Sequence, residues 1–112
     1  MNREQFKYVT DWQKETFKGV TARSQVAHLR DELEELDFDL EHRKPNARLE
    51  FADCFILLFG AATASGMDYD DIRNAIQEKM KINKARKWGA PKENGIINHI
   101  REEDNHHPDQ SI

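Results

Sequence analysis

The most regular feature of the sequence is a run of apolar residues that step by three and four between positions 26 and 40. The run consists of Val26, Leu29, Leu33, Leu36 and Leu40. This spacing predicts an α-helix that packs lengthwise along another helix. At 100° per residue the stripe is centred near Leu33 and Leu40, and Phe38 points to the opposite side. A large aromatic side chain there indicates a second buried surface.

Three more helices are predicted around this one. The first runs from Asn2 to about Phe17, and the leucine-rich helix follows from Thr21 or Ser24 until Pro45 ends it. The remaining two cover about residues 46–65 and 68–87, and Asp68 is the predicted cap of the last. Between residues 51 and 59 the third helix is apolar on nearly every side, which is typical of the centre of a bundle. We therefore predict an all-α, antiparallel four-helix bundle.

One domain accounts for a chain of 112 residues. We place it at residues 1–90. Residues 91–112 are expected to form a short ordered segment around Ile96, Ile97 and Ile100, followed by a mobile end. His106 and His107 fall in that end and are not assigned to a metal site.

Charge and apolar content exclude several classes of protein. The net charge is −4 and no Lys/Arg run exceeds two residues, so a nucleic-acid polymer is not an expected partner. The lone Cys54 cannot form an internal disulfide, which fits a reducing cytoplasm. The N-terminus is too charged for a signal peptide, and the most apolar run, residues 51–64, is short and contains Asp53. We expect a cytoplasmic protein without a membrane span.

Two pairs of acidic residues point to metal chemistry. Glu32 and Glu35 lie three apart on the second helix, although an acidic helix face is often merely solvated. Glu50 and Asp53 have the same spacing at the start of the apolar third helix. We expect Asp53 to be buried there, either paired with Arg or Lys or bound to a metal ion. Carboxylates are hard ligands that suit Mg²⁺, so the four acids together predict a cation site.

The fourth helix carries a polar and cationic stripe. Lys79, Asn83 and Arg86 are at offsets of 0, 4 and 7, so they share one face. They either meet the oxygens of a triphosphate or form salt bridges with the acidic residues of the second and third helices.

The motifs in this order resemble the MazG-like all-α nucleotide pyrophosphohydrolases. The similarity spans about residues 12–88 and consists of His28-Leu29-x-x-Glu32-x-x-Glu35, then Glu50-x-x-Asp53, then Lys79-x-x-x-Asn83-x-x-Arg86. The resemblance implies cleavage of (d)NTPs, dNTPs above all, to the monophosphate and pyrophosphate, with nucleotide-pool house-cleaning as the expected role. It also implies a Mg²⁺ cofactor, for which Mn²⁺ substitutes, and a homodimer or homotetramer that completes the fold.

The resemblance also implies roles for individual residues. Glu32, Glu35, Glu50 and Asp53 would be the catalytic metal ligands. Lys79, Asn83 and Arg86 would bind the phosphate or sugar of the substrate. Trp12 is either a core aromatic residue or a surface on which the base stacks, and His28 either packs between helices or orients a metal ligand.

Two other functions remain open at this point. One is a non-catalytic helical oligomer whose acidic clusters bind cations and whose surface binds a protein partner. The other is hydrolysis of a different pyrophosphate compound, such as a nucleotide sugar or phosphoribosyl-ATP, on the same scaffold.

Overall fold

The computed structural model describes residues 1–101, so His106 and His107 lie outside the described part of the chain. The helices are α1 (Arg3–Thr16), α2 (Ala22–Glu41), α3 (Ala47–Ala64) and α4 (Tyr69–Ala85), followed by the two-residue strands β1 (Lys87–Trp88) and β2 (His99–Ile100). The prediction of an all-α fold with four helices is confirmed. The chain divides into two compact units, Met1–Arg73 and the residues from Asn74 onward.

Side chains cap the helices where the sequence predicted them. At the start of α2 the Thr21 side chain accepts from the Ser24 amide at 3.1 Å, and the Ser24 hydroxyl accepts from the Thr21 amide at 3.0 Å. Asp68 and Asp71 exchange the same two bonds at the start of α4, and Asn2 caps α1. These bonds satisfy amides that have no partner within the helix, and they fix where each helix begins.

The end of α2 differs from the prediction. The helix stops at Glu41, four residues before Pro45, because Arg43 takes a left-handed φ of 53°. The Lys44 amide then donates to the Asp39 carbonyl at 2.9 Å, which closes a Schellman motif without glycine. Proline therefore follows the turn and does not cause it.

Helix α3 is the central element of the first unit. Gln25 of α2 lies beside Gly60, and Glu35 lies beside Glu50, so α2 and α3 run in opposite directions. Phe6 of α1 is buried against the Phe59 ring, with 5.6 Å between ring centroids. Helix α3 therefore has a neighbouring helix on two of its sides.

The predicted centre of the α2 stripe is wrong for this chain. Leu36 is 6% exposed, but Leu33 and Leu40 are 46% and 50% exposed. The face that packs on α3 also carries polar residues, because Gln25 is buried and Glu32 is half-buried. The predicted centre was calculated from apolar residues alone, so it left out these polar positions. The calculated centre therefore lies too close to the exposed leucines.

The expectation that α3 is buried all round holds only in part. Phe51, Phe55 and Leu58 recur at helical spacing and are 42%, 58% and 51% exposed. Phe38 of α2, predicted to lie in a second buried surface, is also exposed and stacks on His42, with 4.0 Å between ring centroids. Both helices thus present apolar faces that the first unit leaves largely exposed.

The second unit contains the rest of α4 and a short antiparallel ladder that the sequence did not predict. Lys87 pairs with Ile100, and Trp88 pairs with His99. The Trp88 indole also donates to the Asn83 carbonyl at 2.9 Å, which ties the ladder to the last turn of α4.

Within residues 1–101, no single helix is both long and apolar enough to cross a membrane. Helices α3 and α4 meet that test of length and composition only when they are taken together as a bent pair.

Truncation of Leu36 tests which leucine belongs to the core. Leu36→Ala should lower the free energy of unfolding by about 2–5 kcal/mol, because it leaves a cavity between α2 and α3. Urea unfolding followed by circular dichroism measures this. Leu49→Ala, on an exposed leucine of α3, is the matched control and should change stability much less. Equal losses in the two variants would contradict the assignment of Leu36 to the core.

Candidate active site

Three carboxylates meet where α2 passes the first turn of α3. One oxygen from each of Glu32, Glu35 and Glu50 lies within 4.8 Å of the other two. Glu32 and Glu35 are three residues apart, so they project as neighbours from α2, and the antiparallel α3 brings Glu50 to them. Oxygen atoms this close can bind the same divalent ion or adjacent ions.

The electrostatics of the group favour a bound cation. The pKa of Glu50 is raised, first by burial and then by the charges of Glu35, Asp39, Glu32 and Asp53. Within the unit Met1–Arg73, no Lys or Arg side chain forms an ion pair with the three glutamates. A divalent ion would supply the positive charge that this unit does not provide.

Cys54 is close to this group but is not a suitable ligand. Burial raises the pKa of its thiol, and the charges of Glu32, Asp53 and Glu50 raise it further. Metals bind the thiolate, which these surroundings disfavour. The donor set is therefore carboxylate oxygen, the class that Mg²⁺ and Mn²⁺ prefer.

Asp53, the fourth predicted ligand, has a different environment from the one expected. Its side chain is exposed on α3, so the prediction that it is buried was wrong. It is not in the close group of three, although its charge contributes to the raised pKa of Glu50. Asp53 follows Glu50 by three residues, so the two are neighbours on the helix surface.

His28 and Trp12 do not belong to the carboxylate group. The His28 Nε2 atom lies 3.4 Å from a carboxylate oxygen of Glu32, one turn along α2. Trp12 is 54% exposed and packs edge-on against Phe17, with 5.2 Å between ring centroids. His28 is thus placed to orient Glu32, and Trp12 supports the Phe17 ring.

The remaining predicted site residues belong to the second unit. Lys79 is exposed, and Asn83 and Arg86 are half-buried. The Trp88 indole N–H donates to the backbone carbonyl of Asn83 and not to its side-chain carboxamide.

Sequence reasoning did not single out Asp39. This half-buried residue raises the pKa of Glu50 and follows Glu35 by four residues and Glu32 by seven. That spacing places it on the same face of α2, and it was the signal that could have identified the residue.

Comparison with known proteins identifies the family of this chain. A profile of the dATP/dGTP pyrophosphohydrolases matches residues 5–106. The chain belongs to this family. The predicted resemblance to MazG-like enzymes is therefore confirmed.

Individual relatives agree with this assignment. The dATP/dGTP diphosphohydrolase of cyanophage S-2L is 37% identical over 75 residues, which cover 67% of this chain and 65% of that protein. The Eaa protein of Salmonella phage P22 is 39% identical over 59 residues, which are 53% of this chain and 19% of that protein. The matches thus span less than two thirds of either relative.

A solved structure shows the same fold. The cyanophage S-2L MazG-like pyrophosphohydrolase, bound to dGDP and three catalytic Mn²⁺ ions per active site, superposes with a TM-score of 0.71 at 28% identity. The alignment covers 90% of this chain and 99% of that one.

Neutralising Glu50 should stabilise the metal-free protein. Its raised pKa means that ionisation opposes folding, so the stability linked to Glu50 is full below the ordinary glutamate pKa, about 4.3, and is lost as the pH rises through the raised value. In EDTA at pH 7, Glu50→Gln should therefore melt above wild type, and the difference should vanish as the pH falls below about 4.

Thermal melts across this pH range test the expectation, with Glu34→Gln, an exposed glutamate of α2 outside the group, as the matched control. If Glu50→Gln melts below wild type at pH 7, a positively charged group of the protein already offsets the charge of Glu50 when no metal is bound.

Proposed function

We propose that this chain is a metal-dependent pyrophosphohydrolase that converts dATP and dGTP to the monophosphates and pyrophosphate. Hydrolysis adds one water across the α–β anhydride. A new bond forms between phosphorus and the water oxygen as the bond between phosphorus and the bridging oxygen breaks. The observation that carries the proposal is the group of three carboxylates within 4.8 Å of one another, without Lys or Arg partners in its own unit. The family, and the nucleotide and metal ions bound by the cyanophage enzyme, support it.

The residues present fit divalent ions. Glu32, Glu35 and Glu50 would hold them, and Asp53 would join as the fourth ligand from the next turn of α3. Mg²⁺ is the proposed physiological ion, with Mn²⁺ as a substitute. When bound, such ions polarise phosphate oxygens and lower the pKa of a coordinated water.

The protein itself positions the charged side chains of the site. The carboxylates on two packed helices keep a fixed separation, because α2 and α3 are held by the core around Leu36. His28 orients Glu32 from one turn away. Lys79, Asn83 and Arg86 remain candidates for contacts to substrate phosphate or sugar.

Direct assay separates this proposal from a non-catalytic cation-binding role. Each of the four dNTPs is incubated with the protein and Mg²⁺ or Mn²⁺, and ³¹P NMR follows the products. We expect dATP and dGTP to give monophosphate and pyrophosphate, and the pyrimidine nucleotides to react more slowly. No turnover of any dNTP would overturn the proposed function.

Asp53→Asn tests the fourth ligand in the same assay. Turnover should fall by orders of magnitude, and Mn²⁺ affinity measured by calorimetry should fall with it, because the ions lose an anionic ligand. The melting temperature in EDTA should not drop, since Asp53 is exposed and has no ion-pair partner in its unit. Asp37→Asn, exposed on α2 outside the group, is the control and should retain activity. A large drop in the melting temperature would instead make Asp53 a structural residue.

We also propose a homo-oligomer, a dimer or a tetramer. Its interface would cover the exposed apolar faces of the first unit, which comprise Val26, Leu33 and Leu40 on α2 and Phe51, Phe55 and Leu58 on α3. Apolar residues exposed along one face of a helix are typical of an association site when they form a continuous patch. Each face follows helical spacing, so a second pair of helices would pack against it.

Light scattering tests the association. Wild type should have at least twice the mass of the 13.1 kDa chain, and Phe55→Glu should shift it toward the monomer because a charge in an apolar interface is costly. Tyr8→Glu, at an exposed aromatic residue of α1 outside these faces, should leave the mass unchanged. A wild-type monomer at micromolar concentration would rule out the proposed interface.

A further inference from the structure

A second polar site lies in the first unit, where α1 and α2 both meet α3 at Gly60. Two buried glutamines, Gln13 of α1 and Gln25 of α2, face each other across this glycine. They line a crevice of about 200 Å³. Phe17, Lys14 and Lys18 line it as well.

Gly60 is the residue that allows the two carboxamides to approach α3. A Cβ atom at this position would lie 2.7 Å from Gln13 Nε2 and 2.8 Å from Gln25 Nε2. Both distances are shorter than van der Waals contact, so any side chain here would displace the amides. The close approach of two polar groups to a bare backbone distinguishes this place from an apolar helix contact.

The Gln13 carboxamide has a fixed orientation and an unused acceptor. Its Nε2 atom donates to the Ile56 carbonyl at 2.9 Å, which directs Oε1 away from that carbonyl. Oε1 is buried and has no hydrogen-bond partner among residues 1–101. The Gln25 side chain beside it is also buried. A buried acceptor is rarely left without a partner, so Gln13 Oε1 indicates a ligand from outside the described residues.

The crevice is the right size for part of a nucleotide. Its volume is below the roughly 300–1,000 Å³ of sites that enclose a whole small molecule, and it far exceeds the space needed by a single water. Phe17 offers a flat apolar surface that Trp12 supports from the side. An aromatic face next to an amide acceptor matches a planar heterocycle that carries N–H groups.

The crevice and the carboxylate group both adjoin the same face of α2. Gln25 and Glu32 are seven residues apart, which is two turns, so they share a face of the helix and are separated by about 10 Å. His28 lies between them. A deoxynucleoside triphosphate spans such a distance from its base to its phosphates.

We propose that this crevice binds the purine base of the substrate and that Gln13 and Gln25 form hydrogen bonds with the polar edge of that base. The inference rests on the proposed function, which it extends to base recognition. An N–H group of the base donates to Gln13 Oε1 while the ring stacks on Phe17. Adenine presents an amino donor beside the N1 acceptor, and guanine presents an N1–H donor beside the O6 acceptor. Gln13 Oε1 accepts from the donor, and the Gln25 amide donates to the adjacent acceptor. Because donor and acceptor exchange positions between adenine and guanine, the two bases take different orientations in the crevice.

Metal-free binding is the first test, because it does not depend on catalysis. In EDTA, dAMP or dGMP should shift the side-chain NH₂ signals of Gln13 and Gln25 in ¹H–¹⁵N spectra. The signals of Gln5, an exposed glutamine on α1, should stay in place and serve as the internal control. If no glutamine signal in the crevice moves at millimolar nucleotide, the crevice does not bind the base, whether or not the enzyme turns over dNTPs.

A comparison of two substrates in wild type and in a Gln13 variant tests whether Gln13 Oε1 accepts a hydrogen bond from the base. The probe is the triphosphate of 2′-deoxyribosylpurine, which lacks the 6-amino group of dATP. Wild type should prefer dATP in kcat/KM by about tenfold or more, and Gln13→Met should reduce that preference to near unity, mainly through KM. Gln5→Met should preserve it. Undiminished preference in Gln13→Met would overturn the assignment and leave Gln13 Oε1 as the site of a buried water.

Gly60→Ala is a second variant in case Gln13→Met folds poorly. It displaces only the ends of two flexible side chains, so it should fold and should raise KM for dATP and dGTP while Mn²⁺ affinity stays at the wild-type value. Unchanged KM in a folded Gly60→Ala would also overturn the proposal. If wild type turns over no dNTP, the proposed function fails, and the metal-free binding result still decides whether the crevice binds a base.

Discussion

The mutual repulsion of three glutamates is the constraint on which the arrangement of the first unit depends. Glu32, Glu35 and Glu50 are brought this close by two packed helices, and a bound cation would neutralise their repulsion. Surface carboxylates without such a constraint would rotate apart. The raised pKa of Glu50 shows that the metal-free fold opposes this concentration of charge. On the proposed function, metal binding would therefore be coupled to the stability of the α2–α3 pair.

This constraint accounts for the division of α2 into two faces. The face toward α3 must present Glu32 beside Glu50, so it cannot consist of leucine alone, and Leu36 is the apolar residue that it buries most deeply. Leu33 and Leu40 then fall outside the contact and form the exposed apolar face. The same helix thus carries a polar group on one side and an exposed apolar face on another.

The four helices and three of the four grouped acidic residues were predictable from the sequence because both depend on local spacing. Caps at Thr21 and Asp68 and acids three residues apart follow from helix geometry alone. Features that depend on the packed partner were not predictable: the left-handed Arg43, the burial of Leu36 in preference to Leu33, and the ladder at Trp88. The exposure of Asp53 belongs with these, since the apolar run around it gave no information on which side of α3 is covered.

Gly60 links the packing of α3 to the chemistry of the crevice. Glycine in a helix interior costs about 0.5–1 kcal/mol relative to alanine, and nothing in the backbone of α3 requires a left-handed residue there, since the positive-φ glycines of the described chain are at other positions. The cost is offset only if the space is used. The amides of Gln13 and Gln25 occupy that space, yet their hydrogen-bonding capacity remains partly unfilled. A helix weakened at one residue so that two amides can be buried, one of them with an unpaired acceptor, gains little as a core, and it is understandable for a site that a ligand completes.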